Sequence, residues 1–172
     1  MLKKMLFAAM LVLSVAAWGD AQKPNDAQIA HIAYTAGQID INAANQALAK
    51  SNNSDVRAFA TEMVRDHQAV NDKALALVKK LNVTPQDNPT SQALSKVAAA
   101  KLAQLATLSG PAYDHAYVEN EVAYHKTVNG ALKDTLIPDS KNAELKSLLQ
   151  TGLTLFQAHQ AHAEHLEASL PK

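Results

Sequence analysis

Three histidines, His67, His125 and His159, fall on the apolar stripes of three different predicted helices. Histidine is only moderately common in protein interiors, so three of them on core-facing positions need a physical reason. A neutral imidazole in such a place either hydrogen-bonds to a neighbouring core group or coordinates a transition metal. The trio therefore predicts a polar or metal-binding centre inside a bundle of helices.

Carboxylates lie near these histidines along the chain. Asp66 directly precedes His67, and Glu121 lies one turn before His125 on the same helix face. Asp40, on the preceding helix, lies about as far from the first inter-helix turn as His67 does, so the two side chains are expected at similar heights. The sequence therefore predicts that carboxylates and imidazoles share the centre.

The fourth helix is expected to bring His159 level with Glu121, whereas His125 lies about one helical turn closer to the last inter-helix turn. This offset predicts that His125 stands at the edge of the centre. The candidate ions are iron, zinc and copper. The candidate metal ligands are His67, His125, His159, Asp40, Asp66 and Glu121.

A conventional di-iron site is weakly supported. Such bundles repeat Glu-x-x-His on two helices, because residues three apart project together toward a metal pair. Here Glu62 and His67 are five residues apart, and Glu121 and His125 are four apart. A ferritin-like di-metal oxidase or peroxide-consuming enzyme therefore stays an alternative to simple metal binding.

Two further groups on these helices favour ordinary structural roles. His159, His162 and His165 follow one another at three-residue spacing, which turns each about 60° from the last, so only adjacent pairs can share an ion. A solvated, histidine-rich helix end is the favoured interpretation. Three tyrosines on the third long helix are predicted to pack in the core, although they could also bond carboxylates or histidines. These are Tyr113, Tyr117 and Tyr124.

Several function classes lack their sequence signals. The chain has no cysteine, which excludes disulfides, thiolate metal ligands and covalent haem attachment. It contains no serine triad order, phosphate loop or glycine-rich nucleotide motif. Its 16 basic and 16 acidic residues balance, and the basic residues are scattered, so nucleic acid is not an expected partner.

Four long helices must position the centre. The first is expected from about Asn25, a capping residue paired with Gln28, to Lys50. The second is expected over 55–82, and a polar linker leads to an alanine-rich helix over 91–108. Because that extra helix is long enough to travel much of the bundle, it predicts a crossover between the second and third bundle helices.

Glycine and proline mark the boundaries of the last two helices. Gly110 and Pro111 are expected to open the third bundle helix, which should end before Pro138. Asp139 or Ser140 can cap the fourth bundle helix. The whole pattern predicts an all-α protein, a four-helix bundle with an additional helix in the crossover.

The N-terminal segment is predicted to be a secretory signal peptide. Lys3 and Lys4 precede an apolar run over 5–18, and small residues follow, so cleavage is expected after Ala21. Residues 1–21 would then be the signal and 22–172 the mature domain, located in the periplasm or secreted. No later stretch is apolar enough to span a membrane, and the oligomeric state, including a homo-oligomer, stays open.

The mature chain resembles the DUF4142 family, exported bacterial proteins of unknown function grouped with ferritin-like bundles. The resemblance rests on three motifs and covers about 26–170. They are Phe59-Ala60-x-x-Met63-Val64-x-Asp66-His67-x-x-x-Asn71, Gly110-x-x-Tyr113-Asp114-x-x-Tyr117-Val118 followed by His125, and Leu155-Phe156-x-x-His159-x-x-x-Ala163.

The resemblance implies a ferritin-like up-down bundle with a crossover between its second and third helices. It also matches His67, His125 and His159 to the family's histidine positions. Asp40 stands where a glutamate is usual in the family, which weakens the case for a conventional carboxylate bridge between two metals. The family implies no activity.

The leading hypothesis is an exported, non-enzymatic bundle whose core histidines and carboxylates bind a transition metal, in metal handling or envelope stress. A di-metal enzyme is the second hypothesis. The third is a structural or partner-binding bundle without a ligand, in which the histidines only satisfy hydrogen bonds inside the core.

Overall fold

The computed structural model describes residues 23–171, so the predicted signal peptide lies outside the described residues. All regular structure in this range is helical. None of the helices in this range combines the length and the hydropathy that a transmembrane span needs. The helices are α1 (Asp26–Lys50), α2 (Ser54–Lys80), α3 (Pro89–Ala106), α4 (Gly110–Ala131), α5 (Ile137–Asp139) and α6 (Ala143–Ser169), with a π-helical segment (Leu132–Leu136) between α4 and α5.

Four of these helices form the bundle. Helix α1 packs along α2, α4 packs along α6, and α2 also contacts α6. Helix α3 runs along the outside of α1 and carries the chain from α2 to α4. The predicted ferritin-like bundle with an extra crossover helix is therefore confirmed.

Of the two capping predictions, one is confirmed and the other is wrong. Asn25 and Gln28 form the predicted reciprocal capping box at the start of α1. The prediction that Asp139 or Ser140 caps the last bundle helix is wrong. Asn142 accepts hydrogen bonds from the backbone N–H groups of Glu144 and Leu145 instead. A residue closer to the helix satisfies its first free N–H groups, so α6 begins later than expected.

Helix α4 ends at Ala131, before Pro138 as predicted, but the expected break in helical structure does not follow it. Helical structure continues past Ala131 through the π-helical segment and into α5, which contains Pro138. The N–H of Ile137 bonds to the carbonyl of Leu132, one residue further back than in an α-helix. This wider turn lets the chain accept a proline, which lacks an N–H donor and would clash within a regular α-helix.

Two apolar clusters fill the interior, one at each end of the bundle. The first surrounds the turn between α1 and α2, and the second surrounds the connection between α5 and α6. Helices α1 and α6 contribute buried residues to both clusters, whereas α2 and α4 contribute buried residues to the first and only partly buried residues to the second. The first contains Ala43, Ala44, Ala47, Val56, Phe59, Ala60, Met63, Leu105, Tyr113, Tyr117, Val118, Ala163, Leu166 and Leu170, and the second contains Ile29, Ala30, Ile32, Leu132, Leu136, Leu145, Leu149 and Phe156.

Candidate metal centre

A buried polar layer lies between the two apolar clusters. On each bundle helix, the polar residue falls in the sequence between the residues that belong to the two clusters. Each is almost completely buried. The layer consists of Asp40 from α1, His67 from α2, Glu121 and His125 from α4, and His159 from α6.

The three predicted histidines converge in this layer. The ring centres of His67 and His125 are 5.6 Å apart, those of His67 and His159 are 5.3 Å apart, and those of His125 and His159 are 5.5 Å apart. One ring nitrogen from each lies within 4.8 Å of those of the other two. The three imidazoles therefore form a nearly equilateral triangle.

Asp40 joins the triangle from α1. Its Oδ2 atom lies 3.5 Å from Nε2 of His67 and 3.5 Å from Nε2 of His125. The expectation that His125 stands at the edge of the centre is wrong, because its ring faces both other imidazoles as well as Asp40. Counting residues from a turn assumes parallel helices of equal rise, and tilted helices shift the heights by several ångströms.

The tautomer of His125 is fixed from its own helix. Its Nδ1 lies 3.0 Å from the backbone carbonyl oxygen of Glu121, which can only accept a hydrogen bond, so Nδ1 carries the proton. Nε2 then has a free lone pair, and this is the atom that faces Asp40. Proteins commonly orient a metal-binding histidine by a hydrogen bond from the ring nitrogen that does not bind the metal.

Asp66 fixes His159 in the other tautomer, with the proton on Nε2 instead of Nδ1. Its Nε2 lies 3.1 Å from Oδ2 of Asp66. Hydrogen bonds from Arg65 hold the pKa of Asp66 below its ordinary value, and the bond from His159 contributes in the same direction. Asp66 is therefore an ionised acceptor, Nε2 carries the proton, and the buried Nδ1 of His159 keeps its lone pair.

Two of the predicted ligands, Asp66 and Glu121, do not lie where they could share one ion with all three histidines. Asp66 contacts the outward-facing nitrogen of His159, so it supports this histidine from outside the triangle. The expected neighbour of His159 was Glu121, but Glu121 lies beside Asp40 and His125 instead, with Oε2 3.7 Å from Nδ1 of His125.

The two buried carboxyl groups resist ionisation. Burial raises the pKa of Asp40 to about 7. Burial also raises the pKa of Glu121 well above its ordinary value, and the negative charge of Asp40 raises it further. Without a cation, the layer therefore favours keeping one of the two carboxyl groups protonated near neutral pH.

The imidazoles resist protonation. Burial lowers the pKa of His125 to about 4, and it lowers the pKa of His67 well below the ordinary value, with further repulsion from the other two histidines. Burial likewise lowers the pKa of His159, although Asp66 opposes this effect. All three are neutral at pH 7, the form in which histidine binds metals.

Many polar atoms of the layer have no hydrogen-bond partner. Buried polar atoms in proteins are nearly always paired, so a group of unpaired atoms facing one another is a place that could hold a cation. The residues present therefore fit a metal ion. The unpaired atoms are Oδ1 and Oδ2 of Asp40, Nδ1 and Nε2 of His67, Oε2 of Glu121, Nε2 of His125 and Nδ1 of His159.

Aromatic residues shape the surroundings of the layer. Phe156 stacks on His67 with the ring centres 4.5 Å apart and an angle of 11° between the planes. The prediction that the tyrosines pack in the core is supported by Tyr113 and Tyr117, which stack on each other. Tyr124 donates a hydrogen bond to the carbonyl of Ala36, 2.8 Å away. None of these hydroxyl groups bonds a carboxylate or a histidine of the layer.

One contact near the layer has no counterpart in the sequence-based expectations. His162, expected to be solvated, has its Nδ1 2.7 Å from Oε2 of Glu62 on the neighbouring helix. The spacing of Glu62 and Asp66 by four residues places both on one face of α2, but only the packing of α2 against α6 shows what that face meets.

Comparison with known proteins gives the family. No significant match was found among curated proteins or among solved structures. The family model described as a domain of unknown function, DUF4142, matches residues 13–166, nearly the whole chain. The chain therefore belongs to the DUF4142 family.

Proposed function

We propose that this protein binds a transition-metal ion at His67, His125, His159 and Asp40. The observation that carries the proposal is the set of buried, mutually facing nitrogen and oxygen atoms without hydrogen-bond partners. A cation satisfies several of them at once, and it offsets the unfavourable burial of the Asp40 carboxylate.

The spacing of the atoms supports a small ion. A tetrahedral ion with bonds of about 2.0–2.1 Å holds its ligand atoms about 3.3–3.4 Å apart. Oδ2 of Asp40 lies 3.5 Å from the Nε2 atoms of both His67 and His125. Small movements of these side chains would complete such a shell, with Nδ1 of His159 as the fourth ligand.

The ligand types limit the ion. Three neutral imidazoles and one carboxylate suit zinc, iron, copper or nickel, whereas calcium and magnesium prefer sites made of oxygen atoms. The hydrogen bonds that His125 donates to the Glu121 carbonyl and that His159 donates to the Asp66 carboxylate would hold these two imidazoles in the ligating tautomer. The lining hydrophobic residues would keep water away from the ion.

We also propose that this binding takes place outside the cytoplasm, in metal handling or the response to envelope stress. The support is the pattern over 1–21, a cationic start, an apolar run and a small-residue end. Fractionation of the native host with an antibody against the mature domain tests the location, and recovery of the uncleaved chain from the cytoplasm contradicts it.

Metal binding is tested on chain purified from its native compartment. We expect one ion per chain by elemental analysis, and visible absorption typical of tetrahedral cobalt after reconstitution with Co²⁺. His67→Gln and His159→Gln should each abolish high-affinity binding. His165→Gln, at an exposed position on the same helix as His159, is the matched control and should bind like the wild type.

The outcomes separate the proposal from a bundle without a ligand. Bound metal should raise the melting temperature, because a ligand that binds only the folded state stabilises it in proportion to the logarithm of its concentration. Absence of any bound ion, or equal metal content in His67→Gln and His165→Gln, overturns the proposal. Unchanged melting with added metals would then favour a structural role.

A di-metal oxidase is the second candidate, and Glu121 is the observation that favours it. Ligand atoms of Asp40, Glu121 and His125 lie within 4.8 Å of one another, beside the histidine triangle. A second ion there would use the unpaired Oε2 atom of Glu121. Two ions per chain, with oxygen or peroxide consumption after loading with Fe²⁺, would establish this candidate; a single ion without consumption excludes it.

A further inference from the structure

A second group of carboxylate and imidazole side chains lies between the histidine triangle and the protein surface. Glu62 and Asp66 lie on one face of α2, and His159 and His162 lie on the face of α6 that packs against it. His162 Nδ1 is 2.7 Å from Glu62 Oε2, and His159 Nε2 is 3.1 Å from Asp66 Oδ2. Two imidazole–carboxylate pairs therefore bridge α2 and α6 side by side.

The two pairs also approach each other. Ligand atoms of Glu62, Asp66 and His159 lie within 4.8 Å of one another, and Glu62 is at hydrogen-bond distance from His162 as well. Glu62 is therefore the common member of the group. Two neighbouring carboxylates, with the imidazole of His162 beside Glu62, are suitable ligand types for a divalent transition metal.

Exposure changes steadily across the group. The side chains of His162 and Glu62 are 45% and 32% exposed, that of Asp66 is 15% exposed, and that of His159 is 1% exposed. The other nitrogen of His159 belongs to the buried triangle. The group therefore forms a continuous series of ligands from solvent to the buried layer.

Arg65 is the positive charge already present in this group. Its Nε and Nη2 atoms lie 2.6 and 3.0 Å from the two carboxylate oxygens of Asp66. The Arg65 side chain is 69% exposed, so its guanidinium can move into solvent with little loss of packing. An arriving cation would compete with Arg65 for Asp66.

We propose that Glu62, Asp66 and His162 form an outer cation site through which a divalent transition metal reaches the buried centre. The outer ion binds where solvent can still release it and then exchanges its ligands for Nδ1 of His159 and the other buried groups. This inference rests on the proposed function for the destination of the ion, but the outer site has its own ligands and can be measured by itself.

The first experiment measures the rate of Co²⁺ loading by stopped-flow absorption. Glu62→Gln/His162→Gln should load about tenfold more slowly or worse, because it loses a negative charge and a ligand at the access point. The final stoichiometry and affinity should stay within about twofold of wild type. Glu164→Gln/His165→Gln removes the same two groups at exposed positions further along α6 and should load at the wild-type rate.

Substitution of Arg65 should change the loading rate in the opposite direction. Arg65→Gln should load faster than wild type, because the competing guanidinium is gone. Equal loading rates in wild type, Glu62→Gln/His162→Gln and Arg65→Gln overturn the proposal, as does an equal slowing in the Glu164→Gln/His165→Gln control.

The second experiment keeps the outer site testable if the buried centre binds nothing. In Asp40→Asn/His67→Gln protein, with circular dichroism confirming the fold, titration with Co²⁺ should still detect one weak site. Adding Glu62→Gln and His162→Gln should abolish it. Absence of the weak site, or its survival in the quadruple variant, contradicts the outer site. A wild-type protein that shows the weak site but no tight site contradicts the proposed function.

Discussion

Oδ2 of Asp40 lies 3.5 Å from Nε2 of His67, and neither side chain has more than 3% of its surface exposed. Neither atom has a hydrogen-bond partner. A carboxylate surrounded by neutral imidazoles loses its hydration without gaining a counter-charge, which is why burial raises the pKa of Asp40 to about 7. The buried Asp40 carboxylate therefore lowers the free energy of unfolding of the metal-free protein.

Asp40→Asn should stabilise the metal-free protein at pH 8 and abolish metal binding. The folded-state pKa of Asp40 is about 7 and the ordinary value is 3.8, so the folded state binds more protons between these values. The contribution of Asp40 to stability therefore falls as pH rises from about 4 to 7. Asparagine does not titrate, so the variant does not lose stability in this way. Above pH 7 its free energy of unfolding should exceed that of the wild type by a few kcal/mol.

Chemical denaturation from pH 3.5 to pH 8, with chelator present, measures this difference. The two proteins should be nearly equally stable at the acid end and diverge toward neutral pH. Asp139→Asn, which changes an aspartate of α5 paired with exposed Lys23, should show no comparable divergence. A metal-free Asp40→Asn protein less stable than wild type at pH 8 would contradict the prediction.

The buried histidines predict a second, opposite pH dependence. The pKa of His125 is lowered from 6.5 to about 4, so the unfolded chain binds more protons over this window. Stability should therefore be complete above pH 6.5 and decline as pH falls toward 4. Because Asp40 masks part of this loss, the decline should be steepest in metal-free Asp40→Asn protein.

A double variant isolates the histidine contribution. Asp40→Asn/His125→Gln should show a shallower decline between pH 6.5 and 4 than Asp40→Asn, since one of the neutral imidazoles that must be protonated on unfolding is gone. Denaturation midpoints at half-unit pH intervals give the two slopes. Parallel slopes would mean that His125 is not held neutral by its surroundings.

The bond between Asp66 and His159 predicts a graded effect on metal affinity. Asp66→Ala should weaken equilibrium binding at the buried centre about 10- to 100-fold, because His159 loses the acceptor that fixes its tautomer. Asp66→Asn keeps an accepting oxygen and should recover part of this loss. Competition with a chelator of known affinity measures both, and equal binding by all three proteins would remove the orienting role of Asp66.

The fold could be predicted almost completely from the sequence, for a reason that the polar layer illustrates. His67 replaces one apolar residue in a stripe that continues from Val56 to Leu77, so the helical period is visible on both sides of it. The predictions differ from the structure at helix ends, where more than one residue can cap a helix and more than one type of turn can accommodate a proline. Pro138 is accommodated by a wider turn, and Asn142 caps α6 in place of Asp139.

The site was harder to predict than the fold. Residue types on a stripe identify the members of the layer, but not their partners, because pairing depends on helix tilt and rotation. His125 therefore lies at the centre rather than at the edge, and Asp66 rather than Glu121 contacts His159. The contact between Glu62 and His162 depends on two exposed faces meeting, for which the hydrophobic period carries no signal.

A close approach between α1 and α2 beside the layer gives a last prediction. A Cβ atom at Gly37 would clash with Oδ1 of the buried Asn71 side chain and lie 3.0 Å from its Cγ. Gly37→Ala should therefore lower the free energy of unfolding by about 1–3 kcal/mol, the usual effect of overpacking, and displace the neighbouring turn that carries His67.

Gly130→Ala is the matched control, because an added Cβ at that helical position contacts nothing within 4 Å. It should stabilise the protein by about 0.5–1 kcal/mol through the lower backbone entropy of alanine in the unfolded chain. Urea denaturation of both variants measures the two signs. If both substitutions stabilised the protein alike, Gly37 would be an ordinary helix position, and the packing of α1 against α2 would not depend on the missing side chain.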